Sequence, residues 1–279
     1  MNITIVGLGL IGGSVALDLK SQMNVHVIGV DTNLSHQEAA MDLGLVHEVM
    51  DLDAAVLKSD IIILAVPVDI IELILPNLLD NISKKSVLID LGSTKDAICK
   101  MIWHHKNRGR FVAAHPLAGT EFSGPKAALR GLFQNKKNII CESEKSDPDA
   151  LALALRLFDS LGMKTSFMSA QDHDKHLAYV SHLSHVSSFM LGLTVLDIEK
   201  DEKQIFDLAG TGFASTVRLA KSHPSTWAAI FDKNSKFVLE ALDSYIAHLQ
   251  QFRSMIEAKD IDCLKQLMTK SNDIKRILE

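Results

Sequence analysis

One run of glycines and two segments ending in serine or histidine carry the residue types that could do chemistry. Gly7-Leu8-Gly9-Leu10-Ile11-Gly12 follows the apolar run Ile3 to Val6 and leads into the helical spacing of Val15 to Lys20. In that setting Gly7 permits a tight turn, Gly9 lets the backbone approach a pyrophosphate, and Gly12 lets helix pack closely on strand. Leu10 and Ile11 open a helix whose N-terminus faces the phosphates. Asp31 ends the second strand, nineteen residues after Gly12. A carboxylate there can accept hydrogen bonds from the adenosine ribose hydroxyls and repel a 2′-phosphate, which favours NAD over NADP. Asn33 and Ser35, close by, are polar groups able to remodel that pocket.

The run Val87 to Leu91 closes with Gly92-Ser93-Thr94-Lys95, and Phe111 to Ala114 closes with His115-Pro116-Leu117-Ala118-Gly119-Thr120-Glu121. Both endings fall at the carboxyl edge of the sheet, where open α/β folds place their ligands, so Ser93 and His115 can converge on a nicotinamide. Imidazole, with its ordinary pKa of ~6.5, suits a proton transfer coupled to loss of a hydride. Without that convergence, a serine or histidine at a strand end is a cap or loop residue. Ala65-Val66-Pro67 ends another strand and reads two ways, as a plain strand end or as a loop that crosses the nicotinamide side with Val66 and Pro67 against the cofactor.

The elements that must position these groups follow from hydrophobic pattern. Apolar runs at Ile3 to Val6, Val25 to Val30, Asp60 to Val66, Val87 to Leu91 and Phe111 to Ala114 alternate with segments of helical spacing. Runs that are apolar throughout, without alternation, belong to strands covered on both faces, hence a doubly wound parallel sheet of the Rossmann type. Asn138 to Cys141 and Lys164 to Met168 add two strands, separated by a helix from Pro148 to about Leu161 that Ser146 or Asp147 can cap. Beyond Ser169 strand signals cease. Residues 1–168 therefore read as a dinucleotide-binding domain and 169–279 as an all-helical domain. Its helices are expected over Gln171 to Leu196, Glu202 to Ala209, Thr226 to Ser254 and Asp260 to Leu278. Val180 to Leu196 is too apolar for one small domain to cover, which points to a homodimer.

Composition narrows the partners. The 279 residues are 47% hydrophobic with a formal charge of -5, so no broad basic surface supports nucleic-acid binding. Cys99, Cys141 and Cys263 form no CxxC pair, which speaks against a disulfide framework or cysteine-based zinc site and fits a reducing cytoplasm. No targeting segment and no apolar run approaching the ~20 residues of a membrane span is expected.

Ser181, His182 and His185 share a helix face by their spacing. His173, His176, His182 and His185 cluster in sequence and raise metal binding, but no HExxH motif joins them and hydride transfer to NAD needs no metal. A face that recognises an anion is the expectation.

Taken together, GLGLIGGS, DLGSTK, AHPLAGTE and Ser181-His182-Leu183-Ser184-His185 closely resemble the prephenate and arogenate dehydrogenases over most of the chain. The resemblance implies NAD-dependent oxidative decarboxylation of a cyclohexadienyl acid on the route to tyrosine. Ser93 and His115 would contact the substrate's ring hydroxyl. Gly210 to Arg218 resembles the segment whose arginine holds a substrate carboxylate, which assigns that role to Arg218, while Trp227 and Glu121 correspond to an aromatic near the site and an acid paired with the arginine. Thr120 adjoins that acid, and Ser181, His182 and His185 complete the substrate side. Ser184 stands where relatives often have proline, and Thr211 where a second consecutive glycine is common; both bear on the local backbone path. His185, as a hydrogen-bond donor, is expected to favour prephenate over arogenate.

Two rival readings remain at this stage. A β-hydroxyacid dehydrogenase would share the glycine run but rely on a lysine in the helical half, where no glycine-flanked lysine is found. A dinucleotide-sensing regulator would keep Gly7, Gly9, Gly12 and Asp31 without needing His115, Ser93 and Arg218. The residues after 169 leave no apparent room for a further regulatory or chorismate mutase domain.

Overall fold

A computed structural model describes residues 1–199 and 208–278. The first part alternates strands and helices: β1 (Asn2–Val6), α1 (Leu10–Gln22), β2 (His26–Val30), α2 (Leu34–Asp42), β3 (Glu48–Val49), α3 (Leu52–Lys58), β4 (Ile61–Leu64), α4 (Val68–Asn81), β5 (Val87–Asp90), α5 (Asp96–Met101) and β6 (Phe111–Pro116). Then come β7 (Lys137–Cys141), α6 (Pro148–Ser160) and β8 (Lys164–Met168). They build one sheet in the order β3-β2-β1-β4-β5-β6-β7-β8. Burial on both faces explains the unbroken apolar runs. Ile3, Ile5, Ile61, Ile63 and Ile89 face one core and Val6, Ile62, Leu64 and Leu88 the other.

The Rossmann-like class expected from the sequence is present, with a difference at its far edge. β7 runs antiparallel to β6, and β8 runs parallel to β7. Parallel pairing needs a crossover, usually a helix, on one face of the sheet. Residues 117–136 contain no α-helix and instead lie across α1, where Leu129 N–H donates to Ser14 Oγ at 2.9 Å and Gly131 N–H to Asp18 Oδ1 at 2.9 Å. The chain therefore re-enters from the edge it left. β3 has two residues, too few to leave a periodic signal.

The helical part contains α7 (Ala170–Leu177), a π turn (Ala178–His182), α8 (Leu183–Glu199), α9 (Thr211–Thr216), α10 (Pro224–Lys233), α11 (Ser235–Glu257), α12 (Ile261–Ser271) and α13 (Lys275–Leu278). Ser169 caps α7 by accepting from Asp172 N–H. The single helix expected from Gln171 to Leu196 is thus interrupted by the π turn. That expected from Thr226 to Ser254 breaks at Asn234, whose buried side chain donates to the Asp174 carbonyl at 2.8 Å. The one expected from Asp260 to Leu278 passes through a 3-10 turn at Asn272–Ile274. Glu202 to Ala209 lies outside the described residues except for its last two positions. This part has a small core of its own, Ala178, Phe237, Val238 and Ala241, and leaves Leu193, Leu196, Leu249 and Ile256 exposed. Among the described residues no helix is long and apolar enough to cross a membrane.

Candidate active site

The carboxyl ends of β1, β4, β5 and β6 meet the π turn, α8 and α10 around a cleft of about 610 Å³. On the sheet side the glycine run behaves as its spacing requires. Gly7 has φ +97°, and a Cβ there would lie 2.5 Å from the Ala65 carbonyl oxygen. A Cβ on Gly12 would lie 1.9 Å from the Gly7 carbonyl oxygen, so close packing excludes any side chain. Gly9 differs, since a Cβ there meets nothing within 4 Å. The open space lies at the start of α1, where no side chain caps the free N–H groups of the first turn. Such a cradle fits a diphosphate. Gly9, Leu10, Ile11, Val66 and Pro67 all line the cleft.

Asp31 sits beside this cradle, outside the cleft lining. Its Oδ2 accepts from Leu8 N–H at 2.9 Å, within the glycine run, and Oδ1 accepts from Asn33 N–H at 2.9 Å. Oδ1 keeps a second lone pair for a ribose hydroxyl. His36 Nδ1 stands 3.4 Å from Oδ2.

Deeper in, Ser93 and His115 both line the cleft. His115 Nδ1 is 2.9 Å from His173 Nε2, leaving Nε2 of His115 as the ring nitrogen not engaged by protein. Burial, then the nearby His173, Lys95 and His182, hold the His115 pKa well below the usual histidine value, so the ring is neutral at physiological pH. Beneath Ser93, fully buried Lys95 is ion-paired with fully buried Asp90. Asp90 Oδ1 also accepts from Gly92 N–H at 2.6 Å, which pins the loop on both sides of the serine.

The helical part supplies the other wall. His185 stacks on Trp227 with ring centroids 3.3 Å apart and planes at 21°, and its Nδ1–H donates to the Ser181 carbonyl at 3.1 Å. His182 turns inward, accepting at Nδ1 from Asn234 at 3.0 Å; burial lowers its pKa to about 4. The π turn produces this divergence, because one extra residue in a helical turn rotates the residues around it to new directions. Arg218 Nη1 donates to Glu121 Oε2 at 3.1 Å, across the mouth between the two parts of the chain. Thr120 Oγ1 accepts from Phe122 N–H at 3.2 Å in the same loop.

Every residue assigned to the substrate side by resemblance therefore lies in this cleft. The four clustered histidines separate: His173 faces His115, His182 faces Asn234, His185 stacks on Trp227, and His176 is exposed. Among the described residues no lysine lines the cleft. The sequence assigned no site role to Asp90, Lys95, His173, Asp174 and Asn234; contacts distant in sequence tie in Lys95, His173 and Asn234, and Asp90 joins through Lys95. The adjacent His-Asp pair just inside a capped helix was the one available sign.

A phosphate cradle at a Rossmann-type sheet edge, facing a neutral histidine in a cleft closed by a helical domain, defines a nucleotide-binding dehydrogenase. Comparison with known proteins narrows the class. Residues 15–167 match the family described as prephenate dehydrogenase, nucleotide-binding domain, and residues 169–270 match prephenate dehydrogenase, dimerization domain. The cyclohexadienyl dehydrogenase of Zymomonas mobilis is 31% identical over 281 residues, covering 100% of this chain and 96% of that protein. The structure of prephenate dehydrogenase from A. aeolicus in complex with hydroxyphenyl propionate and NAD+ superposes with a TM-score of 0.90 at 30% identity, covering 100% of this chain and 98% of that one. Synechocystis arogenate dehydrogenase gives a TM-score of 0.76 at 28% identity, with 100% of both chains covered. The chain belongs to the prephenate dehydrogenase family.

Proposed function

We propose that the protein is an NAD-dependent prephenate dehydrogenase, forming 4-hydroxyphenylpyruvate and carbon dioxide in tyrosine biosynthesis, and that it works as a homodimer in the cytoplasm. Residues 1–168 bind the dinucleotide; residues 169–279 close the substrate cleft and dimerise. Gly7, Gly9 and Gly12 shape the diphosphate cradle, Leu10 and Ile11 present the helix start, Val66 and Pro67 flank the nicotinamide, and Asp31 selects NAD by its charge. Bound there, NAD supplies the hydride acceptor.

The protein's own groups account for the rest. His115 Nε2 takes the proton of the ring hydroxyl as the carbon bearing it loses hydride, and Ser93 orients that hydroxyl. The ring carboxylate then leaves as carbon dioxide, its bonding electron pair enters the ring, and the resulting phenolate oxygen recovers the proton from His115. Arg218 holds a substrate carboxylate, and Glu121, Thr120, Ser181, His182, His185 and Trp227 shape the remaining surface.

The preference for prephenate over arogenate rests on one observation. Among the described residues Glu121 is the sole carboxylate lining the cleft, and Arg218 already engages it. An ammonium-bearing side chain finds no uncommitted acid there; a keto acid needs none. His185 contributes differently from the sequence expectation. With Nδ1–H given to Ser181, neutral His185 offers an acceptor at Nε2 and becomes a donor there only when protonated. Burial lowers its pKa, so that change lies below pH 6.5. Specificity constants for the two acids test this. Prephenate should be preferred by at least ~10-fold at pH 7.5, about 1.4 kcal/mol. The ratio should rise on acidification below pH 6.5, and His185→Val should flatten that rise. Preference for arogenate at pH 7.5 would overturn the assignment and leave the arogenate dehydrogenase reading.

A further inference from the structure

Behind the cleft, His115, His173 and Asp174 form a continuous hydrogen-bonded line. His115 Nδ1 meets His173 Nε2 at 2.9 Å, and His173 Nδ1 meets Asp174 Oδ1 at 2.7 Å. Both His173 and Asp174 are fully buried. Asp174 is held by two further donors: Lys95 N–H reaches Oδ1 and Asp96 N–H reaches Oδ2, each at 2.8 Å.

Proton directions follow in sequence. Backbone N–H groups only donate, so the Asp174 oxygens accept, and His173 Nδ1 must donate to Oδ1. Neutral His173 then has a lone pair at Nε2, which obliges His115 Nδ1 to donate. Neutral His115 is left with its lone pair at Nε2, the nitrogen facing the cleft. We propose that His173 and Asp174 are positioning residues for His115, fixing its ring in the tautomer that accepts the substrate hydroxyl proton. The inference rests on the dehydrogenase reading above.

Two features favour this over simple packing. A fully buried acid and imidazole are costly to desolvate, and an apolar pair would fill the same volume without that cost. Moreover, the carboxylate that orients His173 also holds Lys95 and Asp96 N–H, at the end of the loop presenting Ser93. One side chain from the helical part thereby sets the two groups proposed to meet the same hydroxyl. It also stabilises positive charge on His115 once the proton has moved, through His173, much as a buried acid orients and supports a catalytic histidine elsewhere. The charged or titratable groups around this line are Lys95 and Asp90 from the sheet side, Cys141 on β7 and His182 from the π turn.

The test uses the full-length protein with His173→Leu and His173→Gln, which leave the Asp174 contacts to the loop in place. Leucine removes the acceptor for His115 Nδ1–H. Glutamine Oε1 reaches the position of Nε2 and restores the acceptor. His173→Leu should lower kcat about 100-fold, the usual size for a mis-set acid/base, with KM for prephenate and Kd for NAD within about threefold. His173→Gln should recover most of kcat. Nitrogen-15 NMR of the His115 ring should show Nδ1 protonated and Nε2 bare in the unmodified protein, and mixed tautomers in His173→Leu. Equal kcat in all three proteins, an unmixed His115 tautomer in His173→Leu, or glutamine no better than leucine would overturn the proposal. If the unmodified protein turns over neither cyclohexadienyl acid, the functional reading fails, and the NMR tautomer still decides the hydrogen-bonded line.

Discussion

Arg218 shows how much a single charge is asked to do at the mouth of the cleft. Its side chain is 51% exposed and pairs with Glu121, so water screens the pair and the ion pair itself adds little stability. In the function proposed here its value lies in presenting a planar, permanent charge to an incoming carboxylate. Arg218→Ala should raise KM for prephenate by roughly 10- to 100-fold with NAD binding unchanged, as expected for about 1.5–3 kcal/mol of charge-assisted contact. Arg218→Lys should restore part of that, because lysine keeps the charge and loses the fork. Steady-state kinetics with separate cofactor titration measure both; an unchanged KM would return Arg218 to the solvent. At this scale the sequence was informative where a residue's type and its place at an element's end coincide, as at Ser93 and His115. It was silent where function depends on a partner far along the chain. Asp174 meets Lys95 across 79 positions and His115 meets His173 across 58, and no local pattern marks such pairs.

Among the elements, the β1–α1 junction separates two jobs that look alike in sequence. Gly12 is needed by the fold, and we assign Gly9 to the ligand. Gly12→Ala drives a methyl into the Gly7 carbonyl and should lower the melting temperature by several degrees, consistent with a loss of about 1–3 kcal/mol from overpacking. Gly9→Val should leave the melting temperature of the cofactor-free protein nearly unchanged while weakening NAD by at least ~10-fold, since it fills the space above the free N–H groups. Thermal unfolding and cofactor titration on both variants check this, and equal destabilisation by the two would contradict it. The periodic elements were legible because burial on both faces leaves long apolar runs. Short or irregular ones were not: the two-residue β3, the reversal at β7, the π turn and the break at Asn234 arise from tertiary contacts rather than from a repeating pattern.

At the scale of the whole molecule, the described residues of the helical part bury few apolar side chains among themselves. Its core holds Ala178, Phe237, Val238 and Ala241, while Leu196 on α8 and Leu249 on α11 are about half exposed. Covering such faces with a second copy is the closure that point symmetry supplies most simply. Light scattering should give twice the 30.7 kDa chain mass, and Leu196→Glu with Leu249→Glu should shift it toward one chain with loss of thermal stability. A monomer from the unmodified protein would contradict the homodimer.

The central claim is that one cleft couples hydride removal to decarboxylation. It is tested most directly by incubating the purified protein with prephenate and NAD while measuring NADH by absorbance and carbon dioxide by trapping in the same reaction. The account predicts equal molar amounts of the two, accompanied by 4-hydroxyphenylpyruvate. NADH formed without carbon dioxide, or no turnover of prephenate with NAD, would contradict it.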